Sequence, residues 1–195
     1  MAANIRGILL AAGYSKRFGS NKLLQTLPAD TPEAGTPIGL AAAKHLLEVL
    51  PESIAVVRPR AQKLAKMLRN AGCNTVVCKN ASEGMGTSLA AGVRATSDAK
   101  GWVVALADMP FIRPETIRIV TKALEEGAAI AAPSLHGQRG HPVGFAPRFY
   151  EELSSLHGDD GARQFLERHP EWVKIIEVDD PGVVHDVDKP SDLER

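Results

Sequence analysis

Cysteine, aromatic residues, net charge and long apolar runs are all scarce in this chain of 195 residues, and each scarcity excludes something. Two cysteines, Cys73 and Cys78, cannot build the disulfide framework of a small secreted domain. Their spacing along a predicted strand fits no usual zinc pair either, so they read as half-buried thiols in a reducing compartment. Lys plus Arg total 23 and Asp plus Glu total 23, which leaves no bulk field toward nucleic acid or an anionic membrane, although a local basic site stays open. The apolar run at residues 8–12 is broken by Gly13 and followed by Lys16 and Arg17. It is too short and wrongly flanked for a signal peptide, and no stretch approaches a membrane span. A cytoplasmic protein without nucleic-acid or membrane partners is expected. There is no Gly-x-Ser-x-Gly elbow, hence no support for a serine hydrolase. The histidines (45, 136, 141, 157, 169, 185) are scattered without metal-ligand spacing.

What remains is ordinary globular composition, 44% hydrophobic and 24% charged, in a length that suits one domain over residues 1–195. The charge is unevenly spread. Residues 1–30 hold four bases (Arg6, Lys16, Arg17, Lys22) against Asp30, and residues 151–195 hold thirteen acids against five bases. The two regions can meet around an anion held by metal, or be two unrelated solvated faces.

Apolar runs alternate with helical patterns. Residues 5–11, 53–57, 75–78, 102–107 and 128–132 read as strands, several of them unbroken apolar runs. Helices are predicted over 40–50, with Leu40, Ala43, Leu46, Leu47 and Leu50 on one stripe before Pro51, and over 61–71, 87–96 and 114–126. Pro114 suits a first helical turn and Gly127 a helix stop. This rhythm implies a mostly parallel sheet covered on both faces. Further on, 142–145 is a strand that breaks the parallel order, 148–156 and 162–168 are helices, and 173–178 and 183–187 are short strands. Residues 28–37 form a proline-rich surface excursion.

Ligands of open α/β sheets sit beyond the carboxyl ends of the strands, so those ends carry the candidate residues. After the first strand, Leu10-Ala11-Ala12-Gly13 lets backbone N–H groups approach a ligand, and Lys16, Arg17 and Lys22 add cations suited to a polyphosphate. Phe18 stands where a P-loop needs glycine, and a basic surface loop explains the segment equally well. Glu83-Gly84-Met85-Gly86-Thr87-Ser88 leads into a helix whose N-terminus favours anions, or is a flexible turn with a hydroxyl cap. Asp108 ends the most apolar strand, where a carboxylate must be paired, hydrogen-bonded or metal-bound, or caps the turn before Pro110. Asp186 and Asp188 stand at i and i+2 on an extended segment, so only one of them can share a metal with Asp108. Gly140-His141-Pro142-Val143 and Gly158-Asp159-Asp160-Gly161-Ala162-Arg163 are polar loops that can grip a second, anionic substrate; the second is equally a turn before a helix.

In this order the motifs resemble the MobA-like nucleotidyltransferases, and within them the molybdenum cofactor cytidylyltransferase branch. Leu10 to Gly13 with Arg17-Phe18-Gly19 and Lys22 looks like the signature loop. Asn80 through Glu83-Gly84-Met85 to Ser88 and Gly92 looks like the nucleotide-binding segment, and Leu106 to Pro110 like the metal aspartate. The loops at 140–143 and 158–163 look like segments of this branch, and residues 186–193 look like the closing Asp-x-Asp-Thr-Pro-Glu-Asp-Leu, with Lys189 and Ser191 departing from it. Ala12 is similar to cytidylyl members and suggests CTP.

The resemblance implies a three-layer Rossmann-like α/β fold of the nucleotide-diphospho-sugar transferase type. It implies transfer of a nucleoside monophosphate from an NTP to a phosphorylated pterin acceptor with magnesium (Mg2+) as cofactor, and a transient contact with a molybdoenzyme or its chaperone. Arg17, Lys22 and Asp108 would be catalytic. Leu10, Ala11, Ala12, Gly13, Asn80, Gly84 and Ser88 would hold the nucleotide, with Arg17 and Lys22 on the triphosphate. Asp108 and Asp188 would bind the metal, with Asp186 in reserve, and His141 and Arg163 would face the acceptor. Competing readings are a same-fold transferase using GTP or another acceptor, and a nucleotide-binding module without turnover. A dehydrogenase is disfavoured, since no full Gly-x-Gly-x-x-Gly follows the first strand.

Overall fold

The computed structural model describes residues 4–13, 21–159, 161–188 and 190–193. In chain order the elements are β1 (Ile5–Ala11), α1 (Ile38–Val49), β2 (Ile54–Val57), α2 (Gln62–Asn70), β3 (Asn74–Val77), α3 (Met85–Ala95), β4 (Gly101–Leu106), α4 (Pro114–Glu125), β5 (Ile130–Leu135), β6 (Gln138–Arg139), β7 (Val143–Phe145), α5 (Tyr150–Ser154), α6 (Ala162–Arg168) and β8 (Val173–Glu177). Short 3-10 turns cover Lys22–Leu24, Ala81–Glu83 and Pro181–Val184.

The strands form one eight-stranded sheet in the order β3-β2-β1-β4-β7-β5-β6, with β8 beside β5. β1 pairs in parallel with β2 and with β4, and β2 in parallel with β3. β7 lies antiparallel between β4 and β5, the break in parallel order that the sequence predicts. Successive residues of a strand face opposite layers. Leu9 and Val103 therefore join the core under α1, α2 and α4, while Ile8 and Val104 join the core under α3, α5 and α6. Helices on both faces of one mostly parallel sheet make three layers.

Local chemistry explains the boundaries. Leu50 ends α1 ahead of Pro51, its N–H still bonded to the Leu46 carbonyl at 2.8 Å. α4 opens with Pro114 at its first position and is closed by Gly127 at φ 96°. The excursion at 28–37 folds back on its own base: Leu27 N–H donates to the Thr36 carbonyl and Ile38 N–H to the Gln25 carbonyl, both at 2.8 Å.

One predicted strand is absent. Among the described residues, 183–187 pair with no strand; a 3-10 turn over Pro181–Val184 leads into an irregular strap. The Asp180 carboxylate accepts the Gly182 N–H at 3.0 Å and winds the turn, and Gly182 lies so close to the Phe111 backbone that an added Cβ would meet its carbonyl oxygen at 2.2 Å. Among the described residues no helix is long and apolar enough to cross a membrane.

β1 is the place where the sheet order reverses, since β2 lies on one side and β4 on the other. The crevice opened there, beyond the carboxyl ends of β1 and β4, is where a ligand fits.

Candidate active site

That crevice is a cleft of about 480 Å³. Leu10, Ala12 and Gly13 from the end of β1, Lys22 and Leu23 from the following turn, and Leu106 and Asp108 from the end of β4 form one side. Ala81, Ser82, Gly84, Met85 and Ser88 from the approach to α3, with Asp159 and Asp188, complete it.

Lys22 is the electrostatic centre. It is 8% exposed, and its Nζ stands 2.9 Å from Asp108 Oδ2 and 2.9 Å from Asp188 Oδ1. Burial works against its charge, but the neighbouring Asp108 carboxylate, the hydrogen bonds to Asp108 and Asp188 and the Asp188 charge outweigh it and raise the ammonium above the usual lysine range. Asp108 is carried by the strand end: Ala107 N–H donates to the Leu10 carbonyl at 3.1 Å, tying β4 to β1 there. Asp188 arrives on the strap, which is docked at that same point, since Val187 is fully buried and its N–H donates to the Asp108 carbonyl at 2.8 Å. Asp188 is held in turn by its own N–H donating to Asp192 Oδ2 at 2.8 Å.

The approach to α3 is shaped by contact with the loop before α6. Gly84 has φ 138°, and a Cβ there would fall 2.3 Å from the Gly158 carbonyl oxygen. Gly86 N–H donates to that carbonyl at 2.9 Å, and Gly158 N–H donates to Thr87 Oγ1 at 3.1 Å. The helix N-terminus is thus partly satisfied by protein, and Asp159 is placed at the cleft wall.

The structure brings together Leu10, Ala12, Gly13, Lys22, Gly84, Ser88, Asp108 and Asp188 in the one cleft. Ala11 is 2% exposed and belongs to the core beneath α1 rather than to the lining. Asn80 is exposed beside the cleft, its carbonyl accepting the Glu83 N–H at 3.0 Å, and it does not line it. Of the paired aspartates, Asp188 lines the cleft; Asp186 points elsewhere, exposed and close enough to His141 to act on its charge. Arg17 and Lys16 lie outside the described residues, and Arg163 is known only as a backbone position in the first turn of α6.

His141 lines a different cavity of about 360 Å³, with Gln138, Arg139, Gly140, Val143, Leu166 and Glu167. Its Nδ1 is buried without a hydrogen-bond partner. Burial pushes the imidazole down to about 4, with the Arg139 charge adding to the effect and the Val104 carbonyl and Asp186 opposing it. The strap links the two cavities: His141 N–H donates to the Val183 carbonyl at 2.9 Å, five residues before Asp188. The residue that sequence reasoning placed elsewhere is Asp159. Its loop reads as an acceptor grip, and only the contact with Gly84 reveals that it borders the cleft of Lys22.

Two carboxylate oxygens that converge on one ammonium are hard, anionic donors spaced to share a cation. Among the described residues no group of three or more His, Cys, Asp or Glu forms a metal cage. Two carboxylates with open positions suit a divalent ion whose remaining ligands come from water and phosphate, as magnesium sites commonly do.

Comparison with known proteins bears on the same arrangement. A family model for the MobA-like NTP transferase domain matches residues 7–173. The chain belongs to the MobA-like NTP transferase family. It is a nucleotidyltransferase. This MobA-like transferase is 27% identical over 199 residues to the purine catabolism protein PucB of Bacillus subtilis strain 168, covering 96% of this chain and 93% of that one. It is 31% identical over 202 residues to nicotine blue oxidoreductase of Paenarthrobacter nicotinovorans, covering 98% and 95%. Among solved structures it superposes on Rv0371c of Mycobacterium tuberculosis H37Rv with TM-score 0.80 and 28% identity, covering 98% and 96%. Rv0371c has also been crystallised in complex with manganese.

Proposed function

We propose that this transferase moves CMP from CTP to the phosphate of a molybdopterin-type acceptor and releases pyrophosphate. The observation that carries the reading is the ammonium of Lys22 held between Asp108 and Asp188 in the lining of a nucleotide-sized cleft. A buried cation flanked by carboxylates, at the switch point of the sheet, is built for polyphosphate with a divalent counter-ion rather than for an uncharged substrate.

An oxygen of the acceptor phosphate attacks the α-phosphorus of CTP. A new P–O bond forms there as the bond from that phosphorus to the bridging oxygen of the leaving pyrophosphate breaks. The acceptor phosphate has its second pKa at ~6, so at neutral pH the nucleophile is already ionised and no side chain must deprotonate it. Among the described residues, the lining of the cleft includes no histidine, cysteine or tyrosine. Asp108 and Asp188 would hold a divalent ion, which when bound neutralises charge on the phosphate oxygens. Lys22 pairs with the triphosphate and stabilises the charge that builds on the leaving group. Leu10, Ala12 and Gly13 offer close backbone approach, and Gly84 and Ser88 face the nucleoside. The second cavity, with His141 and the neighbouring Arg139, is the acceptor side. Arg17 adds to the triphosphate clamp, and Arg163 to the acceptor side.

Magnesium is the physiological ion in this reading, and manganese in the related Rv0371c is in keeping with a divalent requirement. The product passes to a molybdoenzyme or its chaperone. The name of the nicotine blue relative raises a redox alternative. Strand β1 ends at Ala11 and is followed by Ala12-Gly13 rather than a dinucleotide fingerprint, and the lysine between two carboxylates has no use in hydride transfer, so group transfer is favoured.

The test is pyrophosphate release across CTP, GTP, ATP and UTP with magnesium and molybdopterin, alongside NADH oxidation. CTP alone should give stoichiometric pyrophosphate. Release with GTP alone would replace the cytidylyl reading, and no release with any nucleotide would overturn transfer altogether.

A further inference from the structure

We infer that Lys22 fills the cation position of the resting site, so that the divalent ion enters as a metal–triphosphate complex and not by itself. The inference rests on the nucleotidyl-transfer reading above and specifies the form of its substrate. Lys22 Nζ is equidistant, at 2.9 Å, from carboxylates delivered by two separate elements, the end of β4 and the strap. Lys22 lines the cleft yet is only 8% exposed, so an ammonium turned away from the two carboxylates finds little water to solvate it.

An ion arriving alone meets two difficulties. It must take the carboxylates from a buried ammonium, which then has no counter-charge, and an uncompensated buried charge is costly. It also finds only two carboxylates grouped there, since among the described residues no third His, Cys, Asp or Glu joins them. A triphosphate removes both difficulties at once. Its oxygens complete the ion's coordination and give the displaced ammonium new anionic partners. Ion and nucleotide therefore promote each other's binding, and the coupling is reciprocal.

The test measures binding of manganese, used as the probe ion, to the full-length protein without nucleotide, by electron paramagnetic resonance of free Mn2+ and by calorimetry. CTP chelates metal on its own, so the nucleotide-free comparison decides. Lys22→Met should bind manganese about 10-fold or more tighter than the wild type, within the usual range of coupling between sites. Adding Asp108→Asn to that variant should abolish the gain, which places the ion on this carboxylate. Lys22→Gln carries the same comparison if circular dichroism shows that Lys22→Met does not fold. Equal affinity in variant and wild type overturns the inference, as does micromolar manganese binding by the wild type alone. If manganese binding is unchanged in the variants while the wild type still releases pyrophosphate from CTP, the lysine's gating role fails and transfer stands. If the variants gain affinity but the wild type releases no pyrophosphate with any nucleotide, transfer fails and the lysine's hold on the cation position stands.

Discussion

At the scale of single residues, the chemistry concentrates on three charges. Lys22→Ala removes the cation that meets the triphosphate and the ammonium that Asp108 and Asp188 share. Asp108→Ala removes the carboxylate fixed most rigidly by the sheet. Each should lower turnover at least ~100-fold, the scale of losing one preorganised electrostatic group, with the fold intact by circular dichroism; near-normal turnover in either purified variant refutes its role. Gly84→Ala tests a different constraint. At φ 138° with a Cβ 2.3 Å from the Gly158 carbonyl oxygen, alanine must push Gly158 and Asp159 off α3. We expect a raised KM for CTP with a smaller effect on kcat, measured by steady-state pyrophosphate release. Lys22 and Asp108 were legible in the sequence because each follows a recognisable apolar strand, and strand ends are where such sheets bind ligands. Asp159 was not, because nothing local to Gly158-Asp159 says that its loop will pack on Gly84, far away in sequence.

At the scale of elements, the strap over residues 179–188 is what turns two distant carboxylates into a pair. Its anchor is Asp180, 2% exposed, which accepts the Arg113 N–H at 2.9 Å, the Thr116 hydroxyl at 2.6 Å and the Gly182 N–H at 3.0 Å. One buried carboxylate thus caps α4 and clamps the strap to it. Asp180→Ala leaves three donors unsatisfied, and we expect a loss of about 3 kcal/mol, since each unmet buried group costs about 1–3 kcal/mol. Chemical denaturation measures it. A stability change below about 1 kcal/mol would show that water replaces the clamp. The long helices and parallel strands are readable from the 3.6- and 2-residue periods, but residues 183–187 of the strap read as a strand. Val183, Val184 and Val187 have the right composition; the conformation is decided instead by Asp180 and by the close approach of Gly182 to Phe111, and neither is a periodic signal.

At the scale of the whole molecule, strand–helix alternation foretold a parallel sheet with two helical layers, and the antiparallel β7 followed from the irregular second half. Pairing order was not readable, because it depends on which helices cross which face. It has one thermodynamic consequence for the entire fold. β7 sits between β4 and β5, which holds His141, two residues before it, against the Val104 carbonyl in a desolvating site beside Arg139. With its folded value near 4 and an ordinary value of 6.5, His141 is neutral in the native state where the unfolded chain is already taking up a proton. The stability tied to the neutral ring is therefore fully present above pH ~6.5 and is lost as pH falls toward ~4, at most about 3 kcal/mol in all. Part of the residue borders the second cavity, so the realised loss should be smaller. Urea denaturation of wild type and His141→Gln between pH 4.5 and 7.5 isolates it, since the carboxylates contribute equally to both. The wild type should lose stability relative to the variant as pH drops below 6.5, and parallel profiles across that range would mean that the imidazole titrates freely in the folded protein.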